Sequence, residues 1–348
     1  RLEPMLKALE KLQTEGFMFE GKRVKVRLHI VSDAKFMQMC FGTMRFCDEG
    51  SNCLFCFATT EERENVLKRF KTVKKRTNNS KFTKGQKHTD LFHFIPWDRR
   101  WIEQLHLSFR FGHDSLLKQA FTDMITTEFN EEGAALAHII SEMTKPSICM
   151  NAFKFKAVAN KDDTSIGGWA YSHINHSNLM KVLENFNFVD GYKRNREKGI
   201  VKQDLIRRWV AMHKEVQVHP GDGPSKSAEE LFAECSEWAD ELTSAAEGVP
   251  GRDDFEEGDA WNLTLTRKFY GHTWMCHQGE QYARSAKCAV YFGYPEGSTC
   301  GGLKIFRTDA LERSNLMFFH AHFQIYSRMP DRMCNEAGMN SARRMLQP

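Results

Sequence analysis

The stretch that decides the fold is Val24-Lys25-Val26-Arg27-Leu28-His29-Ile30-Val31-Ser32-Asp33. Polar and apolar residues alternate at its start, and it then becomes apolar before it reaches the aspartate. This pattern predicts a strand over residues 24–31, which forms a hairpin with residues 17–20 across the turn at Gly21-Lys22. The sequence therefore predicts part of a sheet with a carboxylate directly after one of its strands.

Helical patterns surround this strand. Residues 2–15 have apolar side chains at helical spacing and end at Gly16, and a second, buried helix is expected from Phe36 to Phe41. From about 101 to 245 the apolar spacing is again mainly helical, and an amphipathic helix is expected over residues 309–327. The chain is thus expected to be of the α+β class, with a small α/β part and a large helical part.

Composition limits the possible classes of protein. The 348 residues can bury a real core, and 49 Lys and Arg against 45 Asp and Glu give too small a net charge to indicate a nucleic-acid partner. Ten irregularly spaced cysteines without a secretory signal or a long apolar run indicate a reducing compartment and no membrane span. Because the chain begins with Arg in a helical pattern, we expect it to be a piece of a longer polypeptide.

Two sequence pairs have the spacing of zinc ligands. Cys53 and Cys56 form a C-x-x-C pair, which supplies half of a tetrahedral site, and His272 and His277 form an H-x4-H pair that could supply the rest. Taken separately, the cysteines could equally be buried structural thiols and the histidines ordinary surface residues. Cys276, Cys47, Cys40 and His106 are other candidate ligands.

Two carboxylates are candidates for catalytic metal binding. Asp33 follows a strand, where a carboxylate can hold one of two magnesium ions that clamp a phosphodiester, and Glu312 opens the last predicted helix. Each also has an ordinary structural interpretation. Asp33 could simply cap a helix, and Glu312 could be a solvated glutamate in a first helical turn.

The most basic segment of the chain lies between residues 61 and 90. Such a run could contact DNA phosphates, or it could be a solvated charged loop, and we weigh the two equally. The candidate DNA-binding side chains are Lys68, Arg69, Lys71, Lys74, Lys75 and Arg76.

The order of these features resembles a known family. A strand ending in Asp33, the pair Cys53 and Cys56, a long helical stretch, the pair His272 and His277, and then Glu312 resemble the core of the V(D)J recombinase catalytic subunit and Transib-type transposases. The resemblance covers residues 15–325, mostly as spacing and scattered identities. The segments Leu105-His106 and Lys145-Pro146 to Phe153 are also similar to that family.

The resemblance implies a DDE-type transposase and endonuclease. Asp33 and Glu312 would bind catalytic Mg²⁺ or Mn²⁺, while Cys53, Cys56, His272 and His277 would bind a structural Zn²⁺. It further implies a partial RNase H-like core over residues 1–60, a mostly helical zinc-binding insertion over 61–260, and a C-terminal part over 261–348. DNA would be the partner, a homodimer the working form, and the nucleus the location in a eukaryote, or the cytoplasm otherwise.

Two departures from the family pattern keep other functions open. The first catalytic aspartate of the family lies upstream of the matched segment, and the segment from His277 to Glu312 is longer than expected, with residues 293–302 as the expected insertion. The chain could therefore derive from a non-catalytic, zinc-stabilised DNA-binding or scaffolding protein. A third hypothesis is a metal hydrolase that uses His272, His277 and Asp33 around a catalytic zinc.

Overall fold

The first elements of the chain form a helix and a hairpin. The computed structural model describes residues 3–43, 53–59, 86–159, 166–218, 226–247, 269–288 and 303–304. Helix α1 (Glu3–Glu15) ends at Gly16, which has φ +72°, and a Cβ there would lie 2.0 Å from the carbonyl oxygen of Val24. Strands β1 (Phe17–Phe19) and β2 (Lys22–Val24) then pair antiparallel. The predicted helix and hairpin are confirmed.

The predicted strand over residues 24–31 is wrong in its extent. Regular strand structure stops at Val24 and resumes only in β3 (Ile30–Ser32), with residues 25–29 irregular between them. Exposed Lys25 and Arg27 alternate here with half-buried apolar residues, so the segment keeps the two-residue burial period of a strand without forming one. Local alternation predicts the extended backbone but not whether a neighbouring strand pairs with it.

Strand β3 and strand β4 (Arg100–Ile102) form a parallel pair, with Ser32 opposite Ile102. Helix α2 (Ala34–Phe41) follows β3 and ends at Gly42 in the left-handed conformation, φ +69°. The expectation that α2 is buried is only half right. Met37 and Phe41 are buried, but Phe36 and Met39 are 44% and 61% exposed, because one face of this two-turn helix has no neighbour among the described residues.

A buried arginine holds the loop before β4 in place. The guanidinium of Arg100 pairs with Asp90 and donates to the carbonyl oxygens of Phe92, at 2.9 Å, and Ile95, at 2.7 Å. It also lies over the ring of Trp97, 4.3 Å from the centroid. The loop is therefore fixed around one side chain of the strand that follows it.

The rest of the described chain is mainly helical, in agreement with the predicted helical stretch. One hairpin interrupts it, because β5 (Phe155–Ala159) and β6 (Ile166–Tyr171) pair antiparallel. The described part is therefore mixed helix and strand, as the α+β class requires, while the domain boundaries stay a prediction. The helices are α3 (Gln104–Arg110), α4 (Lys118–Asp123), α5 (Glu132–Thr144), α6 (His176–Asn185), α7 (Phe188–Gly191), α8 (Arg196–Val216), α9 (Ala228–Glu247) and α10 (Phe269–Cys288).

Helices α3 and α4 belong to one continuous helical run. A π-helical segment, Phe111–Leu117, joins them, and a second one, Met124–Glu128, follows α4. Such π segments widen the helix locally and turn the following side chains relative to those before. No described helix is both long enough and apolar enough to cross a membrane.

Four aromatic side chains form the centre of the helical part. Phe111, Trp209, Trp238 and Trp274 come from the first π segment and from α8, α9 and α10, and all four are fully buried. The ring of Phe111 stacks on that of Trp274 with 6.0 Å between centroids, and Trp209 lies 5.3 Å from Trp274. Burial of such large rings is worth several kcal/mol in total. These contacts place α10 at the centre of the described helical part.

Candidate metal centre

Two cysteines in one short segment supply half of a candidate metal-binding cluster. Cys53 and Cys56 lie in the described segment 53–59 and are 0% and 2% exposed. The backbone N–H of Phe55 donates to the Cys53 sulfur at 3.4 Å. Backbone N–H groups that point at a sulfur favour its thiolate form, which is the form that binds metals.

Helix α10 supplies two histidines to the same place. His272 and His277 are 2% and 4% exposed, and their rings meet edge to face with 5.0 Å between centroids. The stacking of Trp274 in the aromatic core fixes the rotation of α10 between the two histidines. The ring of Phe55 also packs against that of His277, which brings the segment onto the helix.

The four side chains present their ligand atoms to one point. The Cys53 sulfur lies 3.4 Å from Nε2 of His277, and the Cys56 sulfur lies 3.4 Å from Nε2 of His272. The two Nε2 atoms are 3.3 Å apart, and all four ligand atoms lie within 4.8 Å of one another. Among the described residues, these four are the group that could hold a metal ion.

These distances fit a tetrahedral zinc ion. With Zn–S near 2.3 Å and Zn–N near 2.0–2.1 Å, a tetrahedron separates sulfur from nitrogen by about 3.5 Å and two nitrogens by about 3.3–3.4 Å. Hydrogen bonds alone explain the set less well, because two Nε2 atoms that face each other can share only one proton. Two thiolates and two imidazoles are also a ligand set that zinc prefers.

The protonation of the four side chains also fits metal binding. Burial alone would raise the pKa of Cys53, but its hydrogen bond with Cys56 and the two nearby histidines hold that pKa well below its usual value. The hydrogen bond to Cys53, together with burial, raises the pKa of Cys56. Burial would lower the pKa of His277, but the Cys53 thiolate and Glu280 raise it to about 9. Without a metal, the Cys53 thiolate is therefore paired with a protonated His277 ring, and a bound cation would take the place of that proton.

Two more residues contact the outer nitrogens of the histidine rings. The sulfur of Cys276 lies 3.3 Å from Nδ1 of His272, and a carboxylate oxygen of Glu280 lies 3.8 Å from Nδ1 of His277. Such partners orient a metal-binding imidazole so that Nε2 faces the ion. Cys276 is among the alternative ligands considered above, whereas Glu280 was missed. Its position three residues after a candidate ligand on a helix was the available signal.

Helix α10 connects the centre to the parallel strand pair. The side-chain oxygen of Gln281 accepts from the backbone N–H of Ile102 at 3.1 Å, and Gln278 donates to the Gln104 side chain at 2.7 Å. Arg284 donates to the carbonyl oxygen of Trp97 at 2.9 Å. The helix that carries both histidines therefore bonds to the end of β4 and to the first turn of α3.

Asp33 lies beside that strand end, apart from the cysteine and histidine cluster. Its carboxylate caps α2 by accepting from the N–H of Phe36 at 2.9 Å, and its side chain is half-buried. Glu103 directly follows β4 and caps α3, and its own N–H donates to the carbonyl oxygen of Ser32 at 2.9 Å. Two carboxylates therefore follow two adjacent parallel strands, and the sequence alone indicated only the first.

Of the alternative ligands, Cys40 is buried in α2 and His106 lies 2.7 Å from Glu103, so neither belongs to the cluster. The remaining predicted site residues fall outside the described part of the chain. They are Glu312, Cys47 and the basic residues Lys68, Arg69, Lys71, Lys74, Lys75 and Arg76. The catalytic magnesium site and the DNA contact of the basic run therefore stay predictions. No protein-family model, curated protein or solved structure matches this chain, so the case for its family and function comes from the centre and its surroundings.

Proposed function

We propose that this chain is part of the catalytic core of a DNA transposase or recombinase, related to the V(D)J recombinase catalytic subunit and Transib-type transposases. One observation carries the proposal. The cysteine pair and the histidine pair, more than two hundred residues apart, converge on one tetrahedral set of ligands. This is the composite site that the order of motifs leads one to expect in that family.

The zinc would have a structural role. Cys53, Cys56, His272 and His277 would hold it, and four protein ligands leave no open position for substrate or water. The four side chains would bind the ion in place of the protons that they share without it. The residues around it then keep α10 in position, and α10 in turn holds the end of β4 through Gln281.

The proposal takes the strand pair as part of an RNase H-like core. The unit β3–α2–β4 has parallel strands with Asp33 at a carboxyl end, which is the edge where α/β proteins collect ligands. Asp33 would share catalytic Mg²⁺ or Mn²⁺ with Glu312, and these ions would supply activation of water and of a freed DNA hydroxyl. The carboxylate of Asp33 is half-buried and so within reach of solvent.

A second function has an observation of its own. The Asp33 carboxylate caps α2, which is a sufficient structural reason for an aspartate at this position. A non-catalytic descendant of a transposase, serving as a zinc-stabilised DNA-binding or scaffolding protein, would keep the metal centre and the cap alike. DNA as partner, a homodimer and a nuclear location belong to the proposal in either form.

The metal hydrolase hypothesis fits the geometry less well. It needs His272, His277 and Asp33 around one ion with an open position. The described cluster instead joins the two histidines to Cys53 and Cys56 and does not include Asp33.

Metal analysis and a cleavage assay test the proposal. Elemental analysis of the purified chain should find about one zinc, which the double variant Cys53→Ala/His277→Ala loses and the control Cys149→Ala/His173→Ala, with both residues exposed, keeps. No zinc, or zinc kept by the first variant, would remove the main support for the proposed function.

Nicking of labelled duplex DNA with Mn²⁺, abolished by Asp33→Asn, would favour the enzyme. Zinc with DNA binding but no nicking, in a protein that includes the upstream first aspartate, would favour the scaffold.

A further inference from the structure

The β1–β2 hairpin exposes an unusual amount of apolar surface. Phe17, Met18 and Phe19 are 45%, 61% and 58% exposed, so no side chain of β1 is buried. Phe17 pairs with Val24 and Phe19 with Lys22, and side chains directly opposite each other lie on the same face. The two phenyl rings therefore share one face of the hairpin, with a lysine beside them.

Basic side chains accompany these rings along the chain. Residues 17–27 contain four basic residues and one acidic residue, Glu20. Lys22, Arg23, Lys25 and Arg27 are all exposed. We call residues 17–27 the basic hairpin.

Three of these cations have no acidic partner among the residues that the structure describes. Within the described part of the chain, Lys22, Arg23 and Lys25 take part in no ion pair. The lysines of neighbouring α1 differ, because Lys7 lies 2.7 Å from Glu3 and Lys11 lies 3.9 Å from Glu15. The charges of Lys22, Arg23 and Lys25 are thus available to an external anion, whereas those of Lys7 and Lys11 are balanced locally.

We propose that the basic hairpin binds unpaired nucleic acid, with Phe17 and Phe19 stacking on bases and the basic side chains neutralising phosphates. Exposed rings next to a basic track are the combination by which proteins hold single strands, because every base offers a face for stacking. A paired duplex hides those faces. A symmetric contact between two copies of this surface would bring like charges together, which disfavours self-association as its purpose.

The basic hairpin lies close in sequence to Asp33, the proposed catalytic carboxylate. The chain runs from Arg27 through His29 into β3 and reaches Asp33 six residues after Arg27. Burial, and then Arg99 and Arg27, lower the pKa of His29 to about 4 while Asp98 raises it, so His29 adds no positive charge at neutral pH. The inference rests on the proposed function and names the part that would hold a strand opened near Asp33.

Two matched double variants test the inference on the full chain, with a fluorescent single-stranded oligonucleotide as probe. Lys22→Ala/Lys25→Ala and Lys7→Ala/Lys11→Ala each remove two positive charges, but only the first pair lies in the basic hairpin. The first should weaken binding and make the slope of log affinity against log salt shallower by up to about 1.4, at roughly 0.7 per phosphate contact. The second should leave the slope unchanged.

The phenylalanines are tested separately. Phe17→Ala/Phe19→Ala should weaken binding by about fivefold or more for each stacked ring, with little change in the salt slope. Circular dichroism and zinc content should match those of the wild type, since both rings are exposed.

The outcomes separate this inference from the proposed function. If the chain binds the oligonucleotide and the hairpin variants bind it equally well, the inference is wrong and the proposed function stands. If the chain binds no DNA at low salt, both fail. If the phenylalanine variant changes only the sedimentation coefficient, the surface is a protein contact and the inference is again wrong.

Discussion

Removal of Asp90 should destabilise the protein strongly, because it leaves a buried guanidinium without its counter-charge. Arg100 is 0% exposed and Asp90 is 6% exposed, so neither charge has water as an alternative partner. Asp90 also accepts from the N–H of Phe92 at 2.8 Å. The change Asp90→Ala therefore removes an ion pair and a loop hydrogen bond together.

The expected loss of stability depends on the interactions that Arg100 keeps in the variant. Breaking a buried pair by removing one partner costs about 3–5 kcal/mol. Arg100 keeps its bonds to the carbonyl oxygens of Phe92 and Ile95, which places the loss near the lower end of that range. The double variant Asp90→Ala/Arg100→Met buries no charge, so it should be more stable than the sum of the two single losses by about 2 kcal/mol.

Equilibrium urea unfolding, followed by tryptophan fluorescence and far-UV circular dichroism, measures these free energies. Asp98→Ala is the control, because Asp98 lies in the same loop but is exposed, and it should change stability by no more than about 0.5 kcal/mol. The reasoning is refuted if Asp90→Ala stays within about 1 kcal/mol of the wild type, or if the single losses add in the double variant.

Three further predictions concern other parts of the chain. Gly42→Ala should lower the free energy of unfolding in urea by about 1–3 kcal/mol, because φ is +69° and a Cβ would lie 2.1 Å from a carbonyl oxygen. Burial and then Arg99 lower the pKa of His29 to about 4, so the folded protein binds fewer protons than the unfolded chain between pH 4 and 6.5. The free energy of unfolding should therefore fall as the pH is lowered from 6.5 toward 4. In thermal melts, His29→Gln should reduce this dependence on pH. Cys276→Ala and Glu280→Gln should each weaken zinc affinity about 10- to 100-fold in chelator competition while about one zinc per chain still binds.

Spacing in the sequence predicted the metal cluster because the chemistry of zinc restricts it. Few ligand types satisfy a tetrahedral ion, so Cys53, Cys56, His272 and His277 were recognisable although the chain between them is long. The pair formed by Asp90 and Arg100 was not predicted. Its partners are ordinary charged residues, and only their burial in the folded chain distinguishes them from solvated ones.

Local patterns failed where tertiary packing decides the outcome. The β5–β6 hairpin lies in a stretch expected to be helical, because single aromatic residues there fit either period. Helix α10 buries polar side chains such as Gln278 and Gln281, which hydrophobic periodicity does not assign to a core. The two interpretations of Asp33, as metal ligand and as helix cap, predict the same backbone, so its local structure cannot separate them.

The wide separation of the two ligand pairs sets an order of events during synthesis. The sequence distance from Cys56 to His272 is 216 residues, so a ribosome needs about 11 to 43 s to deliver the histidine after the cysteine. During that interval the nascent chain carries Cys53 and Cys56 without His272 and His277, the two imidazoles that complete the cluster. Lengthening the intervening chain adds little cost, since doubling a flexible loop costs only about 0.6 kcal/mol of closure entropy. The cluster therefore tolerates growth of the chain between its two halves at little entropic cost.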